Sequence, residues 1–114
     1  MNILIIESDI SICHKMKKFI LSCGNNNVLC VNRGIEAIRL MENKYDVIFL
    51  DLLISDVNGM NLLKHIKLHN DARVIIITSF PTVKTAVNCM KLGAADFWSI
   101  PFNIERIKKE LQCH

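Results

Sequence analysis

Short apolar runs alternate with segments of helical period along this chain, and the pair recurs five times. The runs are residues 3–6, 28–31, 47–50, 73–78 (RVIIIT) and 97–100. Runs this short, rich in β-branched residues, read as strands. Strands apolar on both faces and separated by helices imply a parallel sheet covered on both sides. Right-handed crossovers then wind the chain both ways from the middle of the sheet. The expectation is a doubly wound α/β domain of five strands.

The helical segments carry their own signals. Ile12, Met16, Phe19, Ile20 and Cys23 form one apolar stripe, with Asp9 or Ser11 as its cap and Gly24 as its stop. Asn25, Asn26 and Asn27 make a polar turn. Ile35, Ala37, Ile38 and Met41 mark a second helix, and Gly59 leads into a third with Met60, Leu63 and Ile66 inward. Residues 82–92 form a fourth, with Gly93 as a stop. Pro101 ends the last strand, and Asn103 caps a final helix with Ile104, Ile107 and Leu111 inward. No repeat, linker or low-complexity tract interrupts this order, so one domain over residues 1–114 is expected.

Composition excludes several functional classes. Hydrophobic residues are 51% and charged residues 22%, which describes a packed domain rather than a disordered chain. The net charge is +3, with Lys and Arg scattered along the sequence, so charge alone does not indicate a nucleic-acid surface. No apolar run approaches the roughly 20 residues that span a bilayer. The start, MNILIIESD, lacks a basic n-region, and Glu7 and Asp9 cut its apolar run short. A cytoplasmic domain that neither enters a membrane nor binds nucleic acid directly is expected. Five cysteines, Cys13, Cys23, Cys30, Cys89 and Cys113, show no CxxC spacing and read as reduced thiols packed like small hydrophobes. His65 and His69 stand four apart on a helix, but no third ligand lies near them in sequence, so they read as a solvated face. Glycines occur only singly, at 24, 34, 59 and 93, which argues against a glycine-rich phosphate loop.

In open α/β sheets functional groups gather where the strands end. Glu7, Ser8 and Asp9 follow the first strand, Asp51 ends the third, and Thr78 and Ser79 end the fourth. Converging carboxylates repel one another, and a hard divalent cation offsets that repulsion. A carboxylate can attack phosphorus and become an acyl phosphate, with cations and hydroxyl donors stabilising the transferring group. Asp51 is the candidate nucleophile, Glu7 a metal ligand and Thr78 a hydroxyl donor. Asp51 alone would read as the end of a strand, but three such residues on three strands make a site.

These residues resemble the receiver domains of two-component response regulators, over essentially the whole chain. ILIIESD is similar to that family's first strand and acidic cluster. DVIFLDLLISDVNGMNLL is similar to its third strand, phosphoacceptor aspartate and loop, and ITSF carries the hydroxyl residue. AVNCMKLGAADFWSIPF is similar to the fourth helix and fifth strand of receivers attached to sigma-54-dependent transcriptional activators.

The resemblance implies a flavodoxin-like (βα)5 fold with strand order 2-1-3-4-5. It also implies a regulatory phosphoacceptor rather than an enzyme, taking a phosphoryl group from a histidine kinase onto Asp51. The implied Mg²⁺ ligands are Glu7, Asp51 and the backbone carbonyl of Leu53, with Ser8 or Asp9 at the second acidic position. Thr78 and Phe97 become the switch pair. The change is then read by a transcription-regulating output through the surface of helix 4, strand 5 and helix 5, where a homodimer is the working expectation. On a strand Phe97 and the adjacent Trp98 face opposite ways, so one of them is expected near that surface.

The pattern is broken at two places around the pocket. Ser8 stands where the family has a second acidic residue, and Ile100 stands where it has a lysine before Pro-Phe. Losing a charge-assisted contact to an anion costs about 2–4 kcal/mol. Ser55 in place of Pro and Asn58 in place of Asp are milder changes, and Lys84 is the nearby cation that would compensate in part. The rival expectation is a pseudo-receiver that docks or dimerises without phosphate.

Overall fold

The computed structural model describes residues 1–112. In chain order the elements are β1 (Asn2–Ile6), α1 (Ile10–Ser22), β2 (Asn27–Val31), α2 (Gly34–Arg39), β3 (Val47–Asp51), α3 (Gly59–His69), β4 (Arg73–Thr78), α4 (Val83–Lys91), β5 (Asp96–Ser99) and α5 (Glu105–Gln112). The strands form one parallel sheet in the order β2-β1-β3-β4-β5. This is the doubly wound α/β architecture expected from the alternation of runs, in the flavodoxin-like strand order that the resemblance implies.

Strand alternation divides the core in two. Ile3, Ile5, Val47, Phe49, Ile75, Ile77 and Trp98 point to the side where α1 and α5 contribute Cys13, Met16, Ile20 and Ile107. Leu4, Ile6, Ile48, Leu50, Val74 and Ile76 point to the side covered by Ala37 of α2, Leu62, Leu63 and Ile66 of α3, and Cys89 of α4. Truncating one of these fully buried aliphatics to alanine costs about 2–5 kcal/mol. Trp98 is clamped from several sides. Its ring lies 5.7 Å from Phe49 and 5.1 Å from Phe102, its Nε1–H donates to Asp96 Oδ2 at 2.8 Å, and the Arg106 guanidinium sits 4.7 Å from its centroid.

Two helix starts follow from the expected caps Asp9 and Asn103, whereas Thr82 and Leu92, expected within the fourth helix, are its caps. Asp9 Oδ1 accepts from Ser11 N at 2.9 Å and Ile12 N at 3.2 Å, so Asp9 rather than Ser11 caps α1. Thr82 accepts from Thr85 N, and Asn103 from Glu105 N. Gly24 and Gly93 adopt the positive φ values, 142° and 100°, that follow the ends of α1 and α4.

Other expectations need correction. α2 closes at Arg39, yet Met41 beyond it is still buried, because the chain turns inward after the helix. In α3 it is Leu62, with Leu63 and Ile66, that is buried, whereas Met60 is only half-buried, at the edge of that cluster. β5 starts one residue earlier than the apolar run and stops before Ile100. Of the aromatic neighbours Trp98 is the buried one and Phe97 is half-buried. Cys13 and Cys89 are buried and Cys23 and Cys30 half-buried, all as free thiols, while Cys113 lies outside the described residues. No described helix is long and apolar enough to cross a membrane.

Candidate functional site

Sheet register decides what meets at the carboxyl edge. Ile6 of β1 is level with Leu50 of β3, so the next residues, Glu7 and Asp51, come level as the strands end. Alternation places both on the α1 side of the sheet. Asp51 pairs with Ile77, which leaves Thr78 one step beyond it and on the opposite face. Thr78 in turn pairs with Ser99, and Ile76 with Phe97, so Thr78 and Phe97 share that face.

The carboxylates are buried: Asp51 is 5% exposed and Glu7 2%. Asp51 is held at both oxygens, by the Ser8 hydroxyl donating to Oδ2 at 3.1 Å and Leu53 N–H donating to Oδ1 at 2.9 Å. Glu7 is less well served. Its Oε2 is buried without a hydrogen-bond partner. Burial, and then the hydrogen bond and negative charge of Asp51, push its carboxyl up to about 8. Glu7 therefore keeps a proton at neutral pH, and the pair carries less than its formal charge.

This is the arrangement a divalent cation relieves. An orphaned buried oxygen gains a ligand, and the repulsion that raises the Glu7 pKa is cancelled. The donor set is thin, however. Among the described residues no group of three or more His, Cys, Asp and Glu is placed to hold a metal. A cation here would rest on two carboxylates, a neutral hydroxyl or carbonyl, and water, a set that suits Mg²⁺ better than a fully dehydrated ion. Of the two alternatives for the second acidic position, Ser8 reaches Asp51, whereas Asp9 Oδ1 serves the α1 cap.

The far side of the site is apolar. Thr78 is fully buried, and its Oγ1 accepts from Phe80 N–H at 3.2 Å. Ile100 N–H donates to Thr78 O at 2.7 Å, which fixes the turn after β5. The Ile100 side chain packs on the α1 and α5 side of the core. It lines a depression of about 130 Å³ with Ile12, Met16, Phe102 and Ile104. Lys84 is exposed on α4.

Two features of the loop after β3 were not legible as site parts in the sequence. Asp56 accepts from Gly34 N at 2.7 Å and Ile35 N at 3.1 Å, with Arg33 3.8 Å away. The Gly34 and Ile35 amides, more than Arg33, hold its carboxyl below the usual range. This ties the loop to α2, and Gly34 permits the approach because a Cβ there would run into Val57. Asn58 caps α3 by accepting from Asn61 N at 3.0 Å, so its replacement of Asp leaves the cap in place. Gly59 is required next to it, since a Cβ would collide with the Leu52 carbonyl. A depression of about 490 Å³ lies elsewhere, by Tyr45, Asn70 and Arg73 at the opposite edge of the sheet. His65 and His69 stack at 4.4 Å on α3, away from the carboxylates.

Comparison with known proteins agrees with this geometry. Residues 3–112 match the sequence model of the response regulator receiver domain. The chain is 31% identical over 113 residues to the transcriptional regulatory protein ZraR of Escherichia coli K12, a match covering 97% of this chain and 25% of ZraR. The chain thus spans about a quarter of the length of that relative. A two-component response regulator from Clostridium difficile superposes with a TM-score of 0.93 at 29% identity, covering 99% of this chain and 93% of that one. A response regulator protein from Burkholderia pseudomallei, crystallised with a phosphorylated aspartic acid, a calcium ion and citrate, gives 0.87 at 25% identity, covering 98% and 71%.

Proposed function

The chain belongs to the response regulator receiver family, and from that premise we propose that it accepts a phosphoryl group on Asp51 and relays the change to a transcription-regulating output. The observation that carries the reading is the buried Glu7 Oε2, without a hydrogen-bond partner, beside Asp51.

An Asp51 oxygen attacks phosphorus of a kinase phosphohistidine, the P–N bond breaks, and the imidazole leaves with the bonding pair. Leu53 N–H and the Ser8 hydroxyl orient the carboxylate for that attack. Glu7, Asp51 and the Leu53 carbonyl, with Ser8 at the margin, are the residues that would hold Mg²⁺, whose part is to neutralise the phosphoryl oxygens. The Thr78 hydroxyl, now engaged by Phe80 N–H, is the donor that would turn to the phosphoryl group. Phe97 on the same face would follow it. The partners are a histidine kinase, an attached or separate output module, and a second copy through the α4–β5–α5 surface. Support for that last surface is the exposed apolar set of Phe80 in the loop before α4 and Val83, Val87 and Met90 along it. The protein would work in the cytoplasm as a phosphoprotein and not as an enzyme.

A second reading has its own observation. Ile100 is half-buried against the α1 and α5 side of the core, where the family places a lysine, so a pseudo-receiver that docks without phosphate is the rival. Intact mass after incubation with acetyl phosphate and Mg²⁺ separates the two. A gain of one phosphoryl group on the wild type, absent from Asp51→Asn, is expected. Wild type that stays unlabelled within seconds and after an hour at high Mg²⁺ refutes phosphoryl acceptance and favours the pseudo-receiver.

A further inference from the structure

Cys13 on α1 and Cys30 on the edge strand β2 are far apart in sequence, but the packing of α1 over that edge brings the Cys30 sulfur against the Cys13 backbone. Cys30 Sγ–H donates to the Cys13 carbonyl oxygen at 3.5 Å. Burial, and then the neighbouring Cys30 side chain, raise the Cys13 thiol above its usual range. Cys13 is 2% exposed whereas Cys30 is half-buried, so an oxidant arriving from solvent meets Cys30 first. The other described cysteines differ: Cys89 is buried against Met60 Sδ, and Cys23 stands at the far end of α1. Phosphoryl acceptance at Asp51 makes no use of the pair.

We propose that Cys13 and Cys30 form a reversible dithiol–disulfide site, oxidised by a hydroperoxide, that staples α1 to the edge of the sheet. The Cys30 thiolate attacks one peroxide oxygen and the O–O bond breaks. The leaving alkoxide takes up a proton as alcohol, and Cys30 becomes a sulfenic acid. Cys13 sulfur then attacks Cys30 sulfur. The S–O bond breaks, and hydroxide leaves as water with the Cys13 proton. Two thiols are oxidised to one disulfide while the hydroperoxide is reduced to alcohol and water. The high pKa of Cys13 does not block the second step, because its proton leaves as the S–S bond forms. A small thiol reverses the bridge by two successive exchanges.

The bridge closes a short loop and restrains the unfolded chain. It also anchors the helix that begins beside Ser8, whose hydroxyl holds Asp51. The site can therefore feel the redox state of the pair, although the dithiol chemistry does not depend on phosphoryl transfer.

The test uses the wild-type protein with hydrogen peroxide, followed by denaturing alkylation, intact mass and peptide mapping. Expected are a loss of about 2 Da before alkylation, a linked peptide joining Cys13 and Cys30, and full reversal by dithiothreitol. Cys30→Ser removes the linked peptide. Cys13→Ala leaves Cys30 about 16 Da heavier, as sulfenic acid, or trapped by a sulfenic-acid reagent. The wild-type result stands by itself if the Cys13 variant does not fold. Cys30 running on to sulfinic acid, about 32 Da heavier with no linked peptide, overturns the proposal, as does bridging of either residue to another cysteine.

Discussion

The two halves of the carboxyl-edge site are chemically unlike. The β1–β3 half presents Glu7, Ser8 and Asp51, all polar, with one buried oxygen still unpartnered. The β4–β5 half presents Thr78, engaged by the backbone, and Ile100, packed into the core. The first half holds Asp51, the proposed nucleophile, beside the buried carboxyl of Glu7. The second holds a hydroxyl and no cation of its own. The proposed nucleophile on β3 and the position after β5 where the family has a lysine thus belong to different strands.

Removing the remaining ligand breaks the comparison most severely. Glu7→Gln keeps the shape but takes away a carboxylate, and Mg²⁺ affinity should fall roughly 100-fold. Magnesium titration followed through the fluorescence of Trp98, the protein's one tryptophan, checks this. Unchanged affinity would mean that the cation site lies elsewhere.

Adding a charge on the same side sharpens the contrast by a smaller amount. Ser8→Asp supplies the missing carboxylate, and Mg²⁺ should bind roughly 10-fold tighter in the same titration, since charge count tunes affinity. The gain is limited because the variant also loses the Ser8 hydroxyl bond to Asp51.

The smallest expected effect is on stability. In metal-free protein the native Glu7 keeps its proton up to about 8, whereas the unfolded chain releases it near 4.5. The native state binds more protons in that window, so stability falls as pH rises through it. The thermal midpoint should decline from about pH 5 to about pH 8, and Glu7→Gln should flatten the decline. Added Mg²⁺ should offset it in the wild type. A midpoint that rises over that range would contradict the buried Glu7–Asp51 pair.

The central strands β1, β3 and β4 were readable in the sequence because they are buried on both faces, so each appears as an unbroken apolar run, from Ile3, Val47 and Val74 onward, whereas the edge strands β2 and β5 are only partly buried. Asp51, Glu7 and Thr78 were readable because each ends its own run. What escaped was set by tertiary contact. Asp56 looked like any loop aspartate, and only the fold brings α2 to it. Ser8 read as a missing charge, yet its hydroxyl holds Asp51. The Leu53 amide carries no side-chain signature at all, and Cys13 and Cys30 are joined only by the crossover of α1. Phe97 and Trp98 were distinguishable only as facing opposite ways, since alternation does not say which face α5 covers.

The division between the halves is tested most directly by time courses of phosphoryl adduct formation from acetyl phosphate and Mg²⁺ on the wild type and Ile100→Lys, side by side. Restoring one ammonium to the apolar half should stabilise the transferring group by about 2 kcal/mol, so the variant should label roughly 30-fold faster than a slow but measurable wild type. Equal rates, or no adduct on either protein, would contradict the claim that the β1–β3 half is a competent phosphoacceptor limited by the missing charge opposite it.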